Sequence, residues 1–106
     1  MRDQDLLFVG THGRVRALDK RTGDEVWTTS LPSTGYGLVT LLVEDDMIYA
    51  GSRGHLFALR PADGAVLWRN DLPSMGYGDM MLVTMRSSSP PVFPRSAGSA
   101  AGPTVT

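Results

Sequence analysis

A chain of 106 residues with no cysteine, and with 10 basic against 11 acidic side chains, has room for one small domain. It excludes disulfide frameworks, thiolate nucleophiles and Cys-type zinc or iron–sulfur sites. A net charge of −1 with no cluster of cations leaves no electrostatic footprint for nucleic acid, and apolar runs of three or four residues fall far short of the roughly 20 that span a bilayer. The opening Met1-Arg2-Asp3-Gln4-Asp5 carries two acids and leads straight into a strand-like run. It has no basic n-region or apolar h-region, so no secretory signal is expected and the location is read as cytoplasmic.

Leu6-Leu7-Phe8-Val9 is the first run of strand length, and it precedes a tight polar turn at Thr11-His12-Gly13-Arg14. Val15-Arg16-Ala17-Leu18 follows, then the turn Asp19-Lys20-Arg21-Thr22-Gly23-Asp24 and the run Glu25-Val26-Trp27-Thr28-Thr29. A Pro/Gly loop from Pro32 to Gly37 leads to Leu38-Val39-Thr40-Leu41-Leu42-Val43. Each run has four to six residues, is rich in Val, Thr and aromatics, and is bounded by Gly, Pro or Asp. That pattern predicts short strands joined by hairpins. No window holds a 3.6-residue apolar period long enough for a helix.

The pattern then recurs. Residues 6–44 align with 47–85 at a constant offset of 41, with 13 identities in 39 gap-free pairs. Gly10 maps to Gly51, Gly13 to Gly54, Ala17-Leu18 to Ala58-Leu59, Gly23 to Gly64 and Trp27 to Trp68. Leu31-Pro32-Ser33 maps to Leu72-Pro73-Ser74, Gly35-Tyr36-Gly37 to Gly76-Tyr77-Gly78, and Leu41 to Leu82. A period near 40 with four strands per copy describes blades of a β-propeller. The expected fold is all-β: residues 1–85 form two four-stranded antiparallel propeller-type blades, followed by a disordered tail over 86–106.

The copies resemble the pyrroloquinoline-quinone-like repeat of quinoprotein dehydrogenases and outer-membrane assembly propellers. Its signature is a strand ending in Gly, a turn, Ala-Leu-Asp, an acid-or-Thr-Gly turn, and a Trp four residues on. The first copy has it at Gly10, Ala17-Leu18-Asp19, Thr22-Gly23 and Trp27, and the second at Gly51, Ala58-Leu59, Asp63-Gly64 and Trp68, with Arg60 in place of the usual Asp. The resemblance covers essentially all of residues 5–85. It implies that the repeat glycines serve turns and that both tryptophans fill space between neighbouring sheets, so that either one changed to Ala destabilises severely. Cofactor-dependent members use a full ring of blades, a calcium ion bound by side chains of several of them and, in many, a disulfide of adjacent cysteines. This chain has two repeats, no Cys and a single Asn, Asn70, so no cofactor is expected.

The histidines are not equivalent under the repeat: His12 maps to Arg53, and Arg14 to His55. One copy reads His-Gly-Arg and the other Arg-Gly-His around the same turn glycine. Tracing a blade puts both turns at the same strand end as the Leu-Pro-Ser-x-Gly-Tyr-Gly loops. The candidate binding face is therefore Tyr36, Tyr77, His12, Arg14, Arg53 and His55. The structural alternative makes the tyrosines packing anchors and the turns solvated. No metal-ligand spacing occurs. Ser33 and Ser74 lack a nucleophile elbow, Asp45-Asp46 reads as a solvated acidic turn, and no catalytic residue is assigned.

From Arg86 onwards, Ser, Pro, Gly and Ala dominate and no residue is acidic, a composition that cannot offset its ordering entropy. Pro91-Val92-Phe93-Pro94-Arg95 formally resembles a PxxP docking ligand within that solvated tail. The family's blade runs inner strand first. This chain opens on the second strand and ends on an inner-type run, Asp79 to Met85, so the first blade lacks its inner strand and the chain has a spare one. The spare strand has two homes. It pairs with Leu6–Thr29 of the next copy, closing a ring of about three or four chains, or it folds back to make two four-stranded sheets packed face to face. Two functions follow. The first is a non-catalytic protein-interaction or scaffold module completed by self-association, with another protein as a possible partner. The alternative is a small-ligand or quinone-cofactor-binding relative of quinoprotein dehydrogenases.

Overall fold

The computed structural model describes residues 5–86; of the tail expected over 86–106, Arg86 is described and pairs with Asp45, and residues 87–106, with the proline-rich motif, lie outside the described residues. Seven strands follow in chain order: β1 Leu6–Thr11, β2 Arg14–Asp19, β3 Glu25–Ser30, β4 Thr40–Glu44, β5 Met47–Ser52, β6 His55–Leu59 and β7 Val66–Asn70. They form two antiparallel sheets, β1-β2-β3 and β4-β5-β6-β7. The all-β reading in propeller-type blades holds. The strand count differs in the first sheet, which has three strands because the inner-type run after β3 begins the second sheet instead of completing the first.

Hairpin chemistry follows the turn residues. His12-Gly13 and Arg53-Gly54 sit at φ 52, 69, 49 and 82°, positive at both central positions, as turns matching the right-handed twist of strands require. Asp45-Asp46 closes β4 onto β5 in the same way, at φ 53 and 60°. Both sheets also carry a register shift at the same place in the repeat, at Ala17/Leu18 and Ala58/Leu59. Val26 and Leu67 are the extra residues. In the first sheet this brings Glu25 onto the face of Arg16 and Thr28, where Thr28 Oγ1 donates to Glu25 at 2.9 Å and Arg16 Nε to Thr28 at 2.9 Å.

The core lies between the sheets. Val15 of β2, Leu31 and Val39 of the connection, and Ile48, Ala50, Phe57 and Leu59 of the second sheet are buried together. Removing such side chains from water stabilises by about 1.5–3 kcal/mol for each large one. Trp27 joins the sheets at their outer part: it packs on this core, and its Nε1 donates to the Pro61 carbonyl at 2.8 Å. Thr29 Oγ1 donates to the Gly64 carbonyl at 2.6 Å. A Cβ at Gly64 (φ 76°) would run into the Trp27 ring, so Gly64 is the floor on which the indole rests.

Trp68 does not repeat this role. It is 45% exposed, with Tyr49 as its ring neighbour at 6.2 Å, because no third sheet follows among the described residues. The expectation that both tryptophans fill space between sheets is corrected to Trp27 alone. The Asp79–Met85 run is also not a regular strand; Val83 alone makes an isolated bridge. Its path nonetheless follows the repeat. A Cβ at Gly10 would press on Val39, and one at Gly51 on Met80, 41 positions along in both cases. Thr40 Oγ1 donates to the Met80 carbonyl at 2.9 Å, and Arg86 reaches Asp45 at 2.9 Å. The run therefore crosses the far face of the second sheet, where the inner strand of a next blade belongs. It does not complete the first sheet, so the face-to-face pair of four-stranded sheets is not formed.

Candidate functional site

The loop end of the blades is built by backbone contacts between hairpin and loop. The Gly13 N–H donates to the Gly37 carbonyl at 2.9 Å, and the Leu31 N–H to the Gly13 carbonyl at 2.8 Å. Thr34, which is buried, donates from Oγ1 to the Leu31 carbonyl at 2.7 Å. These bonds hold the first loop against the His12-Gly13 turn. In the second copy Gly54 lies under the Gly76 carbonyl in the same way. Hairpin turns and Tyr loops thus share one end of the strands, as the blade trace predicts.

On this scaffold both tyrosines stand out into solvent, Tyr36 at 77% and Tyr77 at 75% exposure. His12 meets Tyr36 edge-on at 5.7 Å, and the Arg14 guanidinium lies 5.9 Å from the same ring. An exposed cation–π contact of that kind contributes about 0.5–1 kcal/mol, enough to bias a rotamer. Arg53 does not group with Tyr77; its side chain lies against Gly37 of the first loop. His55 is 6.2 Å from Tyr77 but only 12% exposed, and its Nδ1 is 2.9 Å from Asp71. The structure therefore gathers His12, Arg14 and Tyr36 into one cluster, sets Arg53 beside it, and leaves Tyr77 over a largely covered His55.

Two residues of the second half were not read from the sequence. Asp71 accepts from Arg69 Nε at 2.8 Å, and Arg69 also spans to Ser33 of the first loop at 3.3 Å and lies 5.6 Å from the Phe57 ring. The hydrogen bonds from Arg69 and then His55 hold the Asp71 carboxyl below the usual carboxylate range. The signal was in the hairpin register: Arg14 pairs with Ser30, so the repeat sets His55 opposite Asp71. At the opposite turn the solvent-exposed Asp45 pairs with Arg86 at 2.9 Å, and Arg86 lies 3.7 Å from the covered Glu44 carboxylate.

Among the described residues no three His, Asp or Glu side chains converge to hold a metal ion. No helix among them is long and apolar enough to cross a membrane.

A family profile described as outer membrane protein assembly factor BamB matches residues 3–96. The chain belongs to that family. Among solved structures, the crystal structure of BamB from Moraxella catarrhalis is similar, with 27% identity and a TM-score of 0.52. The match covers 66% of this chain and 22% of that BamB chain, so the chain spans about a fifth of its structural relative. No curated protein sequence matches it.

Proposed function

We propose that this BamB-like chain is a non-catalytic protein-interaction module that is completed by self-association and binds a polypeptide at its loop end. The observation that carries the reading is the pair of exposed tyrosines, each beside a positive-φ glycine, with the Tyr36 loop held further by the buried Thr34 hydrogen bond. Rigid aromatic side chains give contact area at little entropy cost, and neighbouring Arg and His supply donors for backbone carbonyls. Self-association is supported by the three-stranded first sheet and by the groove left beside Trp68 on the far face of the second. By likeness to an outer-membrane-protein assembly factor, the client we infer is an extended, strand-forming segment of an outer-membrane β-barrel protein.

A fluorescently labelled, urea-solubilised outer-membrane barrel protein, diluted into the chain, tests this by anisotropy. Binding is expected, and Tyr36→Ala with Tyr77→Ala should weaken it about tenfold or more without changing the melting temperature. Equal binding by the double variant, or none by the wild type, would overturn the reading.

A further inference from the structure

Within the chain, the second sheet receives Trp27 in a definite seat made of the Pro61 carbonyl, the Gly64 floor and the Gly64 carbonyl that takes Thr29. The repeat supplies both halves of that contact a second time, at opposite ends of the molecule. On the far face of the second sheet, Trp68 stands where Trp27 stands and Asn70 where Thr29 stands. An apolar groove of 390 Å³ lies beside Trp68, lined by Leu42, Tyr49, Leu56, Met81 and Val83. On the uncovered face of the first sheet, the Lys20 carbonyl and Gly23 occupy the places of Pro61 and Gly64. Gly23 has φ 81° against 76° for Gly64, so the turns share a backbone, yet among the described residues no atom beyond its own chain neighbours lies within 4 Å of where its Cβ would be. The same face exposes Leu7 and Val9, in the places of the fully buried Ile48 and Ala50.

We propose that a second copy of this chain docks on the far face of the second sheet, with its Gly23 turn receiving Trp68 as Gly64 receives Trp27. This deepens the self-association reading above and rests on it, since it names the two faces and the anchor. The Trp68 Nε1 donates to the partner copy's Lys20 carbonyl, and the Asn70 amide N–H donates to the Gly23 carbonyl. The partner's first sheet lies beside the Met81–Thr84 run, on the side where that sheet has no inner strand of its own. The contact is head to tail, so it repeats until it closes; roughly two to four chains give the four to eight blades of known propellers.

One residue makes the contact weaker than its internal template. Arg16 stands in the place of the buried Phe57, tied to Glu25 at 3.5 Å and to Thr28. Covering that pair gains less than covering a phenyl ring, so the assembly should come apart on dilution.

The test is sedimentation velocity on the full chain at about 1–200 µM, with two variants that each block one face. Trp68→Ala removes the anchor. Gly23→Asn keeps a positive-φ-tolerant residue but fills the seat. Wild type should sediment as a reversible oligomer, and each variant alone at the 11.4 kDa chain mass over this range. An equimolar mixture should form a dimer that goes no further, because one intact face remains on each chain. Adding Arg16→Phe should tighten wild-type assembly and leave Trp68→Ala monomeric. A monomeric wild type refutes self-association itself. An oligomeric wild type whose variants assemble as well, or whose mixture gives no dimer, refutes only this pairing of faces.

Discussion

Replacing Trp27 and Trp68 separately by Ala should give unequal losses, although the repeat makes the two residues formally identical. Trp27 packs on the core and on Phe8 at 6.0 Å, and donates at 2.8 Å to Pro61. A core aromatic changed to Ala costs about 3–5 kcal/mol. Trp27 is partly exposed, so about 3 kcal/mol is expected, its lost hydrogen bond of about 1 kcal/mol included. Trp68 keeps 45% of its surface in water and rests against Tyr49, so its removal should cost about 1 kcal/mol. A domain of this size has roughly 4–12 kcal/mol in all. Trp27→Ala should therefore lower the melting temperature by about 12–24 °C, or leave no folded baseline, and Trp68→Ala by about 4–8 °C. Urea titration followed by circular dichroism, at a concentration low enough for association to add nothing, measures both. A difference smaller than about 0.5 kcal/mol would show that the indole between the sheets is not what holds them, and the blade register would be wrong.

The glycines under the indole and its counterpart should separate in the same way: Gly64→Ala meets the Trp27 ring as well as a strained φ, whereas Gly23→Ala has only the strain, of about 1 kcal/mol. If urea midpoints fall equally for both, the seat is not a packing site. The Asp71 carboxyl titrates below its ordinary value, so its contribution is full above the unfolded-state value and is lost as pH falls through the lower folded one. Asp71→Asn should flatten the stability profile at and below about pH 4 while leaving its upper limb unchanged; identical acid limbs would exclude a role for the His55–Asp71–Arg69 group. Truncation after Arg86 should leave the melting temperature unchanged, whereas a cut before Arg86 also removes its pair with Asp45. A fall of several degrees for the longer chain would make the Ser/Pro/Gly/Ala segment part of the fold.

The blade architecture was legible because Gly, Pro and Asp punctuate strands at fixed spacing, and because His12-Gly13 and Arg53-Gly54 can close only twisted hairpins. Tyr36 with His12 and Arg14 was legible for the same reason, since both ends of the contact sit on turns at one strand end. What the repeat concealed was inequality between copies. Trp27 and Trp68 hold the same place in the repeat, but burial depends on the sheet that comes next, and among the described residues only the first copy is followed by one. Asp79–Met85 has the composition of a strand, yet ladder pairing is supplied by a partner edge and not by the run itself. Asp71 was missed because His55 lies across a hairpin from it, where only the register, and not linear spacing, brings the two together; Arg69 then reaches Asp71 from two residues before it.

The displaced register at Ala17/Leu18 and Ala58/Leu59 has a consequence for the angle between successive blades. An extra residue in an outer strand adds local right-handed coil, and here it does so just before the tryptophan. Deleting Val26 would leave every remaining side chain on its present face of the sheet, so the hydrophobic pattern would be unchanged. It would nonetheless unwind the outer strand and turn the Trp27 indole away from the Pro61 carbonyl. Because both copies hold the extra residue at one position, each blade hands the next the same rotation. The curvature of any stack built from this chain is thus set by two residues, Val26 and Leu67, whose side chains take no part in the core.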